Sequence, residues 1–450
     1  MSENVVIIGG VAAGMSAASQ AKKRKPAMNV IALEKTNYVS YGSCGLPYYI
    51  MDLIKKDTDL VAISKEKFKT ERAIDVFTKI EVVNIDTKAG IVHATDHNDK
   101  KDVSFPYDYI AITTGASPVK PQISGIDNPG IFQLRTLDDG IAIKGYIKSR
   151  PVKRAAIIGA GYIGMEMAEV LRALNMEIII IEKLPNILGT MDDEINTVVE
   201  KTLDANGIKL MKSTEVKSFE KKDNGGIKIE TTNGNFDVDL VILSIGINPN
   251  SKLAKDAGIV TGAHNAILVN EKMETNVPHI YSAGDCATAK HIILKKDVYI
   301  PLGTTANKQG KIAGANISGA NETFKGIAGT SVVKVFDLEV ARTGLTERDA
   351  KENGFNAVTN LITSRTRAHY YPGSKPITIK LVVEKKKGKL LGAEMVGGEG
   401  VSKRIDIVAA GLYAGMTADE LSRLDLSYAP PFSPVWDPLL VAASDILKKV

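Results

Sequence analysis

The sequence predicts an α/β fold with two Rossmann-like units followed by a C-terminal α+β unit, on three observations. From residue 4, "NVVIIGGVAAGMSAASQAKKRK" reads as apolar strand, glycine turn and alanine-rich helix, and "MNVIALEK" after it is a second strand ending in Glu34. "AAIIGAGYIGMEMAEVLRALNMEIIIIEK" repeats that order around Gly159 and ends its second strand at Glu182. From "TSVVKVFDLEVARTGLT" onward, strand and helix patterns mix without another such glycine turn.

Length and composition bound the rest. At 450 residues, with 44% hydrophobic and 24% charged content, the chain is expected to form two or three globular domains. The 57 basic and 52 acidic residues are too evenly balanced for the concentrated basic face of a nucleic-acid binder. Two cysteines cannot build a disulfide framework, which points to a reducing compartment. The N-terminus enters a strand pattern directly, and no run of apolar residues is long enough for a membrane span. The expectation is a cytoplasmic protein with neither a nucleic-acid nor a membrane partner.

The first glycine turn carries Gly9, Gly10 and Gly14, with Glu34 on the next strand at the spacing of a dinucleotide-binding fingerprint. Small residues there let the backbone approach a pyrophosphate at a helix N-terminus, and the carboxylate takes ribose hydroxyls. Val11 departs from the pattern, standing where the second glycine belongs, so the approach is expected to be tighter there. The second turn keeps Gly159, Gly161 and Gly164, with Glu182 beyond. Either copy alone could be a glycine-containing turn of some other parallel-sheet protein; two in one context leave that reading little room. Two dinucleotide sites in one chain imply an electron relay between a bound flavin and an exchanging nicotinamide.

Three further stretches distribute the two. "NVPHIYSAGDCATA" resembles the second FAD motif of two-dinucleotide flavoproteins, with Asp285 at the ribityl chain and a helix expected to start after it. "YIAITTGASP", with Thr113, Thr114 and Gly115, resembles the crossing out of an FAD domain, and "VDLVILSIGINPN", with Gly246, the return. The expected division is FAD at 1–113 and 246–325, NAD(P)H at 114–245, and an interface unit at 326–450. Glu182 favours NADH, while Lys183 beside it leaves NADPH open as a second donor.

"VSYGSCGLPYYI" places Cys44 before a predicted helix with Pro47 in its first turn, where a thiol is expected to have a depressed pKa. The bland alternative is a small packed residue. On these motifs the whole chain resembles the pyridine nucleotide–disulfide oxidoreductase family, which implies a glutathione-reductase-like architecture and a homodimer. Most members keep two redox cysteines as CxxxxC; here Tyr49 stands at the second position. "SYGSCGLPYY" resembles the single-cysteine branch of coenzyme A disulfide reductases, NADH oxidases, NADH peroxidases and persulfide reductases. A lone thiol must borrow its oxidised partner, either as a mixed disulfide with a small thiol or as sulfenic acid.

Residue by residue, the resemblance implies further roles. Ala12, Lys35, Ser43, Leu302, Gly303 and Thr304 join the FAD set, and Tyr162 and Ile163 the NAD(P)H set, with Tyr162 gating the flavin face. Ala12 also occupies the place of a histidine found in peroxidases and many oxidases of the branch. No histidine follows His369, so the His–Glu pair of the dithiol reductases is missing. "RAHYYPGSKP" and "LDLSYAPPFSPVWDP" resemble segments that present two tyrosines to the partner subunit's thiol, which matches Tyr370, with Tyr371 as an immediate rival, and Tyr428. Interface packing is the alternative for both.

Ser16, Gln20 and Lys23 share a face of the first helix. The resemblance makes that face a coenzyme A contact, together with Ser40, Ser43 and Asn307; a solvated basic helix end is the alternative. Cys286 reads as a buried small residue with no reason to pair with Cys44. No metal is expected.

The activity implied is transfer of hydride equivalents from NAD(P)H through FAD and Cys44 to a coenzyme A disulfide, or to a related small disulfide or persulfide. With no rhodanese domain following in the sequence, a dedicated persulfide reductase is the less expected form. The alternatives are an NADH oxidase with Cys44 as sulfenic acid and, from another class, a flavin-bound redox sensor.

Overall fold

The structure, a computed structural model, describes residues 2–223 and 225–450. Runs rich in Val and Ile form strands covered on both faces, the environment of a helix-flanked parallel sheet. Val5, Val6, Ile7, Ile110, Ala111 and Ile112 have no exposed surface. The first parallel sheet has the order Ile74–Thr78, Asn29–Glu34, Asn4–Ile8, Tyr109–Ile112, Ile280–Ser282. The second has the order Lys209–Met211, Glu177–Ile181, Arg154–Ile158, Leu240–Leu243, Ile131–Gln133.

In both sheets the strand before the glycine turn is central. Its own βαβ partner lies on one side and a returning strand on the other, which opens a ligand crevice at the carboxyl ends. In each unit a three-stranded antiparallel meander, within residues 80–106 and 216–238, comes immediately before the returning strand of the parallel sheet. An antiparallel ribbon of Ala116–Pro118 with Ile247–Pro249 carries the chain between the two sheets in both directions.

The helices Ala12–Arg24 and Gly303–Ile317 touch backbone to backbone. A Cβ on Gly310 or on Gly314 would lie 2.2 Å from the carbonyl oxygen of Ala13 or of Ala17. One expectation fails nearby. After Asp285 the chain turns instead of starting a helix, because Ala287 bridges Ile267 and its backbone groups are used sideways. The helix begins only at Gly303.

The third unit is an antiparallel sheet in the order Ser331–Val335, Leu338–Gly344, Leu390–Gly397, Pro376–Glu384, Ala357–Arg365. Ile377, Ile379, Leu381 and Val383 pack in one core with the helices Val401–Ala414 and Pro438–Ile446. The alternate residues face the other way, as the period of two requires. Lys380 there meets the N-terminal end of the helix Asp193–Ala205, with its ammonium 3.0 Å from Asp192, 3.0 Å from Glu194 and 3.1 Å from Glu347. Among the described residues no helix is long and apolar enough to cross a membrane, and no His/Cys/Asp/Glu group is arranged to hold a metal ion.

Candidate functional site

The two glycine turns repeat each other bond for bond. Gly9 has φ +105° and Gly159 φ +101°, a region only glycine enters freely. A Cβ on Gly9 would lie 2.2 Å from the Thr113 carbonyl oxygen, and one on Gly159 2.5 Å from that of Ser244. The Thr113 hydroxyl donates to the carbonyls of Ile8 and Gly9, and the Ser244 hydroxyl to those of Ile158 and Gly159. Glu34 accepts from the N–H groups of Gly10 (2.7 Å) and Thr36 (2.8 Å); Glu182 accepts from Ala160 (2.7 Å) and Leu184 (2.7 Å).

Each carboxylate oxygen keeps a free lone pair for a ribose hydroxyl. Gly14 and Gly164 draw the helices in, since a Cβ there would lie 1.9 Å and 2.2 Å from the carbonyl oxygens of Gly9 and Gly159. Val11 is tolerated because its φ is −105°, outside the left-handed region. A Cβ at the equivalent Gly161 would meet no protein atom within 4 Å, so that space is open to a ligand. Both cradles fit adenine dinucleotides, with helix N-termini facing a pyrophosphate and a carboxylate beyond.

The other expected contacts gather around the first cradle. Thr114 is tied across the ribbon to Asn250, donating to its carbonyl at 2.7 Å and accepting from its amide at 2.8 Å. Gly115 and Gly246 take positive φ at the two crossings. Leu302 precedes the helix Gly303–Ile317, whose first residues Gly303 and Thr304 are exposed. Ala12 is half-buried at the start of its helix and Lys35 is exposed. Asp285 is ion-paired with Arg135 at 2.7 Å. In the second cradle the Tyr162 hydroxyl bridges Thr190 and Ser331, 3.0 Å from each, while Ile163 beside it is exposed. Lys183 is paired with Glu215 at 2.6 Å.

Cys44 lies in a short 3-10 turn, Ser43–Gly45, before the helix Leu46–Ile50. The expected low thiol pKa is not found; it is raised. Burial is the leading cause, followed by the carboxylates of Glu166 and Asp285, while Arg135 and a hydrogen bond from Ser43 oppose them. A five-residue helix supplies too little dipole to prevail. The thiol is nonetheless reachable, being exposed on the protein surface. Glu166 is itself pushed up to about 7 by burial and by Glu169.

Tyr49, at the place of a second cysteine, is buried. The Lys144 ammonium lies 3.7 Å from its ring centroid and bonds its carbonyl at 2.7 Å. Cys286 is fully buried against the Ile112 carbonyl, is not bonded to Cys44, and its thiol is also raised by burial.

A cavity of about 960 Å³ opens between the first helix and the segments 40–42 and 68–73, edged by the helix Gly303–Ile317, and it reaches Gly42, two residues before Cys44. Ser16, Gln20, Lys23, Ser40 and Asn307 all line it, and Ser16 donates to Asn307 at 2.9 Å. Arg72 and Lys311 add positive charge to the same wall. Neither was singled out from the sequence, and nor were Arg135 and Glu166. Each sits on an element far along the chain from its partner, with no motif of its own.

The tyrosines lie on the third unit. The hydroxyls of Tyr370 and Tyr428 are 3.4 Å apart, both side chains are exposed, and that contact pushes the Tyr428 phenol upward. Tyr371 lies outside the pair. Neither paired hydroxyl is hydrogen-bonded to Cys44 of the same chain. Phe432, Val435 and Trp436 nearby are strongly exposed.

Residues 3–310 match the family model described as pyridine nucleotide-disulphide oxidoreductase, and residues 330–438 match its dimerisation domain. A Pyrococcus furiosus protein named NAD(P)H sulfur oxidoreductase (CoA-dependent) is 41% identical over 98% of both chains. A Pyrococcus horikoshii protein named NAD(P)H coenzyme A polysulfide/persulfide reductase is 40% identical, again over 98% of both. The solved structure of an NAD-dependent persulfide reductase from A. fulgidus superposes with a TM-score of 0.95 at 37% identity, covering 99% of this chain and 83% of that one. With its paired glycine cradles, lone accessible thiol and matched domains, the chain belongs to the pyridine nucleotide-disulphide oxidoreductase family.

Proposed function

We propose that the protein is an NAD(P)H-dependent flavoprotein reductase of coenzyme A-linked sulfur, a disulfide or a persulfide, with Cys44 as its redox thiol. The observation that carries this reading is the basic cavity that gathers Ser16, Gln20, Lys23, Ser40 and Asn307 and reaches Gly42, two residues before Cys44. Its length of polar and cationic surface suits a nucleotide phosphate with the thiol end near residue 44. On this reading the chain divides into FAD segments 1–113 and 246–325, an NAD(P)H segment 114–245 and a dimer segment 326–450. The persulfide form has equal standing with the disulfide form, because the P. horikoshii relative of that name matches this chain over 98% of its own length.

Bound in the first cradle, FAD would carry the two electrons from NAD(P)H that restore the thiol. The Cys44 thiolate attacks the sulfur–sulfur bond of CoA–S–S–R, forming Cys44–S–S–CoA and expelling the other sulfur as a thiolate. The leaving thiolate takes a proton from Tyr428 of a second copy, a phenol kept neutral by its raised pKa. Ser43, bonded to the thiol, and Arg135 favour the thiolate against Glu166 and Asp285.

Mass measurement of the protein as purified tests this. Expected is a coenzyme A adduct on Cys44 that dithiothreitol removes; a single added oxygen, with rapid oxygen consumption and no anaerobic turnover of coenzyme A disulfide, would overturn it. Tyr428→Phe is expected to slow the disulfide half-reaction about 10²-fold and to leave flavin reduction by NAD(P)H unchanged in stopped-flow traces.

A further inference from the structure

Two loops of the third unit carry the tyrosine pair, residues 366–375 with Tyr370 and residues 427–437 with Tyr428. One buried side chain joins their roots. Arg404, on the helix Val401–Ala414, is 5% exposed. Its Nε lies 3.1 Å and 3.0 Å from the two Asp437 oxygens, and its Nη2 lies 2.8 Å from Asp437 Oδ2. The same Nη2 donates to the Thr366 carbonyl at 3.1 Å, and Nη1 donates to the Gly400 carbonyl at 3.2 Å. Asp437 also accepts from the Ser433 hydroxyl at 2.9 Å and from the Leu439 N–H at 2.8 Å. One backbone bond, Ala368 N–H to the Pro430 carbonyl at 3.3 Å, crosses directly between the loops.

We propose that Arg404 is the positioning residue that sets the separation of the Tyr370 and Tyr428 hydroxyls, so that the two loops present one proton-donating pair to the thiol of a second copy. The inference rests on the proton-donor reading given for Tyr428. A buried ion pair adds little stability over apolar residues of the same volume, so stability alone does not account for this one. What the guanidinium supplies is direction. Its planar fork reaches Thr366 on one side and Asp437 on the other, which a lysine's single ammonium cannot do. At 3.4 Å the hydroxyl contact is already long, so a small shift of either loop breaks it.

The test uses the flavin-loaded dimer. Arg404→Lys keeps the charge beside Asp437 and removes the fork. It is expected to slow reoxidation of the reduced enzyme by coenzyme A disulfide about tenfold, with flavin reduction and dimer mass unchanged. Amide hydrogen exchange should quicken in both loops together. Added to Tyr428→Phe, it should slow the half-reaction no further.

Additive slowing, or faster exchange in one loop only, overturns the proposal. A slowed Tyr428→Phe enzyme beside an unslowed Arg404→Lys enzyme overturns Arg404 alone, whereas an unslowed Tyr428→Phe enzyme removes the proton-donor reading itself. Should Arg404→Lys not fold, the pair Arg404→Met with Asp437→Leu removes both charges and carries the same expectations. Failure of both to fold assigns Arg404 to folding and overturns the positioning role.

Discussion

Replacing Cys44 by serine is expected to abolish turnover of coenzyme A disulfide, a loss on the order of 10⁵-fold for removal of a covalent nucleophile, while NAD(P)H still bleaches the bound flavin at the wild-type rate. The two halves separate because they use different parts of the chain. Reduction needs the cradles at Gly9 and Gly159, whose bonds run through Thr113, Ser244, Glu34 and Glu182 and never involve residue 44. Disulfide cleavage needs a sulfur able to hold a bond to the substrate, and Cys286 cannot replace it, being fully buried. Tyr49, packed under Lys144, has no redox chemistry to lend. Stopped-flow flavin absorbance under nitrogen, first with NAD(P)H and then with the disulfide, reads both halves. A C44S enzyme that reoxidises normally with disulfide would show that electrons leave the flavin without the thiol.

The raised Cys44 pKa sharpens that experiment. The free thiol is mostly protonated at neutral pH, so attack on the substrate is expected to accelerate with rising pH until the thiolate dominates. The Arg135 guanidinium, or loss of the Glu166 charge, works in the opposite sense to the burial that raises it.

What could be read in the sequence was local. The glycine turns fold from contiguous residues, so Gly9, Gly14, Gly159 and Gly164 could be placed from spacing, and Glu34 and Glu182 followed from the length of one βα unit. The shared face of Ser16, Gln20 and Lys23 was equally visible because helical period alone puts them together. What escaped depends on distant elements meeting. Arg135 finds Asp285 across the crevice between the sheets, and Arg72 and Lys311 reach the cavity from separate helices. The Cys44 pKa was misjudged for the same reason: the helix behind it was local and visible, the carboxylate of Glu166 was neither. The turn after Asp285 escaped because its partner, Ile267, precedes the strand instead of following it.

The dock between the second and third units yields the other large effect. Glu394 lies on the strand Leu390–Gly397 opposite Lys380 and is fully buried. Its Oε1 accepts from the Asp192 N–H at 2.8 Å, and its Oε2 has no hydrogen-bond partner among the described residues. Lys380 does not neutralise it, since that ammonium is spent on Asp192, Glu194 and Glu347. Arg342 opposes weakly while bonded to Asp349 and to the Thr190 carbonyl. Burial, then the Asp192 carboxylate, pushes the Glu394 carboxyl up to about 8.

The sign follows from proton counts. Well below the ordinary carboxyl value of 4.5 both folded and unfolded chains hold the proton, and stability does not depend on this group. Between 4.5 and about 8 the unfolded chain has lost the proton and the folded one keeps it, so stability falls as pH rises, by about 1.4 kcal/mol per unit at most. Above about 8 both are ionised and the cost is constant. Glu394→Gln keeps an acceptor for the Asp192 N–H and removes the titration. Its stabilisation over wild type is therefore expected to be small near pH 5 and to grow to about 4 kcal/mol by pH 8. Urea unfolding midpoints of both proteins, saturated with FAD at each pH, measure the gap. A gap that stays flat across that range would mean that Glu394 is ionised in the folded protein at neutral pH, with Asp192 and Glu394 then held together as two buried anions. Growth of the gap with pH instead makes the Asp192–Glu394 contact, and with it the seating of the second unit on the third, depend on one retained proton.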